Sequence, residues 1–137
     1  LSTGRIGHAR AVAHTGGLVP VGGLLKGWAE NVLLAGDAGG CVHPLTGAGV
    51  LFALVAGRLA GEVAAEAVRT GDLTRLAAYE WRRDEVLGGA IARGLAARSH
   101  LRSGWSDDPQ ALSELIRQHW IAFPGYGRDI MRRNDGG

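Results

Sequence analysis

The amino-acid sequence predicts an α/β fragment that is mostly helical, with short N-terminal strands, one buried strand and then three helices. Three observations support this fold class. Val32 to Ala35 form a continuous apolar run, which is typical of a strand buried on both faces. Apolar residues between Leu73 and Leu101 recur at roughly helical spacing. The glycines gather before Gly61 without a three-residue period, which indicates tight backbone turns.

The composition is that of a folded chain, one small domain or a part of a larger one. Of its 137 residues, 46% are hydrophobic and 20% are charged, which excludes general disorder. The 15 basic and 13 acidic residues give a net charge of +2, so the charge does not indicate a nucleic-acid partner. The single cysteine excludes an internal disulfide and a multi-cysteine zinc site.

The first residues indicate a fragment or a processed product, because the chain does not begin with methionine. They also lack a basic region followed by a long apolar core, so we see no secretory signal. We therefore expect a cytoplasmic location, with a contact at the membrane surface as a further expectation considered below.

The N-terminal strands are predicted from short extended runs between glycines. Residues 6–14 form the first, Gly16 and Gly17 form a turn, and residues 18–21 form the second. The apolar run at residues 32–35 is the buried strand. From Gly36 to Gly49 the chain has the composition of a loop.

The first helix is predicted from about Gly47 to about Arg69. Thr46 is a suitable N-cap, because its hydroxyl can accept a hydrogen bond from the first turn. Gly71 follows the last periodic residue and ends the helix.

The other two helices carry clear start signals. Asp72 caps a helix over residues 73–101, in which Gly88 and Gly89 favour a bend. Asp108 and Pro109 begin a third helix that continues to His119. From Phe123 onwards the tail is predicted to be irregular.

The loop between Gly36 and Gly49 holds the candidate ligand site. Asp37 lies just past the carboxyl end of the predicted strand, where open α/β sheets bind ligands, and its carboxylate can accept hydrogen bonds from sugar-type hydroxyls. Gly36, Gly39 and Gly40 let a ligand approach the backbone. The N-terminus of the first helix offers free N–H groups and a positive dipole end. The same residues also fit a plain turn after a strand, and both interpretations stay open at this level.

The spacing of the whole segment resembles the second FAD-binding motif of the geranylgeranyl reductase family, flavoproteins with the p-hydroxybenzoate-hydroxylase type of fold. That motif has an apolar strand, Gly-Asp-Ala, a small loop, Pro-x-x-Gly-x-Gly and a helix rich in small residues. The chain carries Gly36-Asp37-Ala38, then Pro44-Leu45-Thr46-Gly47-Ala48-Gly49-Val50, then Ala53 and Ala56-Gly57-Arg58-Leu59-Ala60. Pro20-Val21-Gly22-Gly23 and Tyr79-Glu80-Trp81-Arg82 are similar to flanking segments of the family. The resemblance covers about residues 9–100, with a specific core at 32–61.

The resemblance implies a cofactor, FAD, and a set of residues that hold it. By this likeness Asp37 binds the ribityl or pyrophosphate side of FAD, and Pro44 and Leu45 line the flavin ring. The backbone N–H groups of residues 47–49 lie near the pyrimidine edge, where the helix dipole favours reduced flavin. The implied cofactor-binding residues are Gly36, Asp37, Ala38, Pro44, Leu45, Gly47, Ala48 and Gly49.

The resemblance also implies an incomplete enzyme. The family's first cofactor motif, Gly-x-Gly-x-x-Gly after a strand, is absent from the sequence. The chain thus resembles the C-terminal portion of a Rossmann-like FAD-binding fold, completed by an N-terminal region or a companion chain. The implied domains are a partial FAD-binding domain at 1–70, a helical region at 71–122 and an irregular tail at 123–137. The implied reaction is reduction of isoprenoid C=C bonds, with an isoprenoid lipid as substrate.

Two other interpretations of the chain remain open. The chain fits a flavin-dependent monooxygenase or halogenase of the same superfamily, and it also fits a non-catalytic remnant or a helical interaction module.

His43 and Cys41 lie in the candidate loop, where either is a structural residue or faces the ligand. His8 and His14 have no neighbouring carboxylate, so no metal is assigned. The second predicted helix carries arginines next to tryptophans, which form a solvated face or a peripheral contact with anionic lipid headgroups: Arg82, Arg83, Arg93, Arg98, Arg102, Trp81 and Trp105.

Overall fold

A computed structural model describes residues 12–126 of the chain. Within this range the protein is mostly helical and has three α-helices, as the sequence predicted, together with two short strands. The strands are β1 (Trp28–Ala29) and β2 (Val32–Leu33), and the helices are α1 (Val50–Thr70), α2 (Ala78–Ser103) and α3 (Pro109–His119). Two 3₁₀ helices, Gly36–Gly39 and Leu73–Ala77, precede α1 and α2.

The strand predictions were wrong in extent. Strands β1 and β2 form an antiparallel hairpin in which Trp28 pairs with Leu33. The sequence predicted a strand of four residues buried on both faces. Strand β2 has only two residues, and Val32 is 51% exposed. The reason is that β1 is the only strand paired with it among residues 12–126, so nothing in that range covers its outer face.

The N-terminal strands do not form in the described part of the chain. Residues 6–11 of the first predicted strand lie outside the described range, and residues 12–20 have no regular secondary structure. Their apolar side chains have no packing partner there, since Val12 and Leu18 are fully exposed.

Helix α1 begins three residues later than predicted. Gly47 has a left-handed φ of 70°, which an α-helix does not allow. The hydroxyl of Thr46 accepts from the N–H of Ala48 inside the preceding loop and does not cap the helix. The end is as predicted: Gly71 has a φ of 68° and its N–H bonds the carbonyls of the last turn.

The predicted caps of the later elements are confirmed. Asp72 accepts a hydrogen bond from the N–H of Thr74, but the first turn that it caps is the 3₁₀ helix and not α2 itself. Helix α2 then continues without interruption through Gly88 and Gly89. Asp108 accepts from the first turn of α3, and Pro109 is its first residue. The chain beyond α3 forms turns up to residue 126.

The core lies between α1 and α2. One apolar cluster joins Leu59, Val63 and Ala67 of α1 to Leu76 and Tyr79. A second cluster joins α1 and α2 to the loop before α1, and its members are Cys41, Ala56, Leu87 and Ile91. Because the second cluster includes the loop, packing of the two helices fixes the position of the candidate site.

Candidate functional site

The loop from Gly36 to Gly49 is held at its start by α2. The hydroxyl of Tyr79, which is fully buried, donates to the carbonyl of Leu34 at 2.8 Å. The N–H of Leu25 bonds the carbonyl of Gly39 at 3.1 Å. Gly40 has a φ of 68°, and a Cβ there would overlap the carbonyl oxygen of Gly23. Glycine is therefore required at position 40 by both backbone conformation and space.

One helical turn after Tyr79 in α2, a buried arginine fixes the segment that precedes the loop. Arg83 is only 2% exposed and donates to the carbonyl of Leu25 at 2.9 Å and to the carboxylate of Asp84 at 3.0 Å. Its other terminal nitrogen has no hydrogen-bond partner among the described residues and lies against Gly27. Arg83 was expected on a solvated or lipid-facing surface, and that expectation was wrong because its guanidinium holds this segment instead.

The central residues of the loop, 41–44, face the core. Cys41 packs with Ala56, Leu87 and Ile91. Burial raises the pKa of the Cys41 thiol, more than the positive charge of Arg83 lowers it. The thiol is therefore protonated and enclosed, as a structural cysteine is.

His43 lies in the same buried stretch and has a partner at each ring nitrogen. Nε2 is hydrogen-bonded with the hydroxyl of Tyr126 at 2.9 Å, and Nδ1 with the hydroxyl of Thr46 at 3.2 Å. Burial, and then the positive charge of Arg93, lower the pKa of the His43 imidazole. The neutral ring thus links the tail of the described chain to the turn that precedes α1.

Pro44 is buried against α2 rather than open to the outer surface. A Cβ at Gly94 would be 2.7 Å from Cδ of Pro44, so the small residue permits the close approach of helix and loop. Arg98 donates to the carbonyl of Pro44 at 3.0 Å. Leu45, the next residue, is half-buried and lies towards the rim of the loop.

The outer rim of the loop is exposed and polar. Asp37 and Ala38 are exposed, as are Gly47 and Ala48. The N-terminus of α1 has no side-chain cap. A Cβ built on Gly49 would lie 3.1 Å from Oδ1 of Asp37, so the carboxylate stands beside the start of the helix. Space around Gly47 is open.

This rim can hold a ligand that carries both hydroxyl groups and electron-rich oxygens. The carboxylate accepts hydrogen bonds from hydroxyls, and the first N–H groups of a helix have no partner within it. Those N–H groups and the positive helix end suit an oxygen with negative charge. An exposed carboxylate, open glycine backbone and an uncapped helix start are the features that the ribityl and pyrimidine parts of FAD need, so the residues present fit this cofactor.

Sequence reasoning found the rim but missed the residues that support it. Asp37 lies beside Gly49 at the start of α1, whereas Pro44, which was expected to line the flavin ring, is buried against α2. Which of the predicted residues contact a cofactor stays a prediction. Tyr126, Gly94 and Arg98 were not singled out as parts of this site, because each reaches the loop from more than forty residues away. No local sequence pattern reports such contacts.

Two other kinds of site are absent from the described residues. No group of three or more His, Cys, Asp or Glu residues between 12 and 126 has the geometry to hold a metal ion. In the same range, no helix has both the length and the apolar character needed to span a membrane.

The chain is similar to archaeal enzymes named digeranylgeranylglycerophospholipid reductase. It is 40% identical over 136 residues to the one from Methanothrix thermoacetophila, which matches 95% of the chain and 35% of that relative. It is 44% identical over 101 residues to reductase 1 of Methanothermobacter thermautotrophicus, covering 72% of the chain and 25% of the relative. Reductase 2 of Methanopyrus kandleri is 32% identical over 121 residues, which cover 87% of the chain and 31% of that relative.

The chain thus spans about a third of the length of the curated relatives that it matches. No protein-family model matches the chain, and no solved structure matches it significantly.

Proposed function

The chain corresponds to part of the proteins of the geranylgeranyl reductase family, and we propose that it forms part of the FAD site of a reductase that acts on isoprenoid lipids. The likeness to digeranylgeranylglycerophospholipid reductases over most of the chain supports a reductase. By the same likeness, the proposed substrate is a glycerophospholipid with unsaturated isoprenoid chains. None of these relatives is named a monooxygenase or a halogenase, so neither alternative is carried forward.

The observation that carries the proposal is the exposed Asp37 carboxylate beside the uncapped start of α1. When bound, FAD supplies the hydride chemistry that saturates a C=C bond. Asp37 would accept hydrogen bonds from the ribityl hydroxyls. We assign Asp37 to the ribityl hydroxyls and not to the pyrophosphate, because the negative charges of a carboxylate and a pyrophosphate in contact repel each other. Of the N–H groups that were expected to face the flavin, that of Gly47 bonds the carbonyl of His43 and that of Ala48 bonds the hydroxyl of Thr46. The uncapped N–H groups at Gly49 and the first turn of α1, together with the helix dipole, would favour an electron-rich flavin edge.

The buried side of the loop would keep this rim in place. Cys41, His43 and Pro44 anchor the loop in the core, and Arg98 holds the carbonyl of Pro44. An arrangement that is rigid before the ligand arrives loses less conformational entropy on binding. We therefore assign the inner residues to positioning and the outer residues to contact with the cofactor.

The site requires a further stretch of polypeptide for the ADP half of FAD. The phosphate-binding Gly-x-Gly-x-x-Gly motif is not in this sequence, and the relatives are about three times as long as the matched region. We propose that a region N-terminal in sequence, or a companion chain, supplies this part. The isolated chain is then expected to bind FAD weakly.

The test is a chimera in which this chain replaces the matched region of the Methanothrix thermoacetophila reductase. FAD titration by fluorescence quenching should give saturable binding by the chimera and by the parent enzyme. Replacing Asp37 with Ala should weaken binding by roughly tenfold or more, because a hydrogen bond to a charged group is worth about 1.5–3 kcal/mol. Asp107→Ala, which removes an exposed carboxylate from the loop before α3, is the matched control and should bind as the unchanged chimera does.

Two results would contradict the proposal. A folded chimera that binds no FAD, when the parent enzyme binds it, would make the chain a helical module without a cofactor site. Equal affinities for the chimera and its Asp37→Ala variant would remove Asp37 from the site. Activity on unsaturated isoprenoid phospholipid, followed by mass spectrometry of the product, then tests the substrate class.

A further inference from the structure

Helix α2 carries a cavity that the proposed cofactor site does not use. The cavity has a volume of about 530 Å³ and opens at the surface between the C-terminal half of α2 and residues 21–22. This volume lies in the range of small-molecule sites. The side chains that define its chemistry are Val21, Leu95, Arg98, Ser99, Arg102 and Ser103.

The charge of the cavity is positive. Arg98 and Arg102 are one helical turn apart, so their guanidinium groups lie on the same face of α2. Within residues 12–126, no acidic residue lines the cavity and neither arginine has an ion-pair partner. Arg98 uses one N–H for the carbonyl of Pro44. Each guanidinium has five N–H donors, so most remain for a ligand.

Hydroxyls and apolar side chains complete the lining. Ser99 and Ser103 alternate with the arginines along the same turns, and Ser103 donates to the carbonyl of His100 at 3.3 Å. Val21 and Leu95 form the apolar part of the wall. A cavity with paired guanidinium groups beside apolar surface matches a molecule that has a phosphate next to a hydrocarbon portion.

We propose that this cavity binds the phosphate group of a glycerophospholipid. The inference rests on the proposed function, because it assigns the headgroup of the substrate proposed above to the Arg98–Arg102 face of α2. Arg98 would link the two sites, since the same side chain lines the cavity and holds the carbonyl of Pro44 in the cofactor loop. The carbonyl end of α2 disfavours an anion, so binding depends on the arginine side chains and not on the helix backbone.

The first experiment measures binding of the full chain to vesicles by co-sedimentation. Vesicles of phosphatidylcholine alone are compared with vesicles of phosphatidylcholine mixed with phosphatidic acid. The chain should bind the mixed vesicles more tightly, and Arg102→Gln should lower that affinity by about tenfold, as expected for loss of one charge-assisted contact. Arg102 is exposed and its replacement leaves the core intact.

The matched control is Arg69→Gln, which removes one exposed positive charge from the end of α1, away from the cavity. General attraction between a basic protein and an anionic surface would be lowered equally by both variants. Equal losses, or no loss for Arg102→Gln, would overturn the proposal. A loss confined to Arg102→Gln supports a defined site.

The second arm separates a lipid headgroup from free phosphate. Glycerol phosphate and inorganic phosphate are titrated into the chain by NMR, with shifts followed at Ser99 and Ser103. Weak, Arg102-dependent binding of glycerol phosphate together with tight vesicle binding supports the lipid. Equally tight binding of inorganic phosphate and of vesicles would overturn the lipid assignment and leave a free-phosphate site.

A third measurement keeps this inference separate from the proposed function. FAD titration of the chimera that carries Arg102→Gln should give unchanged affinity. A loss as large as that of Asp37→Ala would assign the cavity to the cofactor and overturn the inference. Arg102-dependent vesicle binding by a chimera that binds no FAD would contradict the proposed function and leave the phosphate site standing.

Discussion

At the scale of single residues, His43 is expected to make the stability of the protein depend on pH. Burial, and then Arg93, lower the pKa of its ring below the usual 6.5. The unfolded chain regains the usual value, so below pH 6.5 it binds more protons than the folded chain. The contribution of His43 to the free energy of unfolding is therefore fully present above pH 6.5. It is lost as the pH falls through the lowered pKa of the folded state.

His43→Gln should flatten this dependence, because glutamine cannot take up the proton. The measurement is urea denaturation at a series of pH values on both sides of 6.5. The matched control is His14→Gln, which replaces an exposed histidine outside any helix or strand and should keep the slope of the unchanged chain. A His43→Gln slope identical to that of the unchanged chain would show that this ring does not control acid stability.

Residues with local roles were the ones that the sequence could predict. Asp72, Asp108 and Gly71 act within three or four residues of themselves, so spacing alone identified them as caps. Arg83 and Tyr126 act on partners far along the chain. The sequence analysis placed Arg83 on a charged surface and Tyr126 in an irregular tail. A sequence pattern does not report which distant groups a side chain meets.

At the scale of elements, two glycines of α2 have opposite roles. Gly94 lies where a Cβ would be 2.7 Å from Cδ of Pro44 and 3.3 Å from the ring of His43. Gly88 has nothing within 4 Å of the same position. Gly94→Ala should therefore displace the loop and lower the free energy of unfolding. Gly88→Ala should raise it by about 0.5–1 kcal/mol, because alanine favours a helix over glycine.

Each of the two variants, Gly94→Ala and Gly88→Ala, is the control for the other, since both make the same chemical change in the same helix. Chemical denaturation gives the two stabilities, and FAD titration of the chimera gives the effect on the loop. Gly94→Ala should weaken FAD binding and Gly88→Ala should leave it unchanged. Similar stability changes for the two variants would contradict the close contact between α2 and the loop.

The helices were predictable from the sequence and the strands were not. The apolar stripe of α1 and its glycine C-cap lie within one continuous segment, and a helix satisfies its own backbone. A strand depends on neighbours elsewhere in the chain. The run at residues 32–35 reads as a strand covered on both faces, yet within residues 12–126 it pairs only with β1. The prediction failed because an apolar run records the character of its side chains and not which strands pair with it.

At the scale of the whole molecule, α1 presents two apolar faces. One face packs on the core through Ala56, Leu59, Val63 and Ala67. On the other, large apolar side chains are mostly exposed: Val50, Leu51, Leu54 and Val68. Apolar patches of this kind mark surfaces that contact other protein. Since the relatives are about three times as long as the matched region, we propose that this outer face packs against the remainder of the reductase fold.

Leu54→Glu tests this proposal, because its effect should differ between the isolated chain and the chimera. Leu54 is 68% exposed in the chain, so the change should alter the free energy of unfolding by no more than about 0.5 kcal/mol there. In the chimera the same side chain would be covered, and the variant should lose roughly 2 kcal/mol or more, since it removes apolar burial and encloses a charge. The control is Val86→Glu on α2, where valine is 53% exposed and the effect should be equally small in both proteins. An equally small loss of stability from Leu54→Glu in the chain and in the chimera would leave the outer face of α1 open to solvent. The missing part of the FAD site would then have to approach the Asp37 rim from another side.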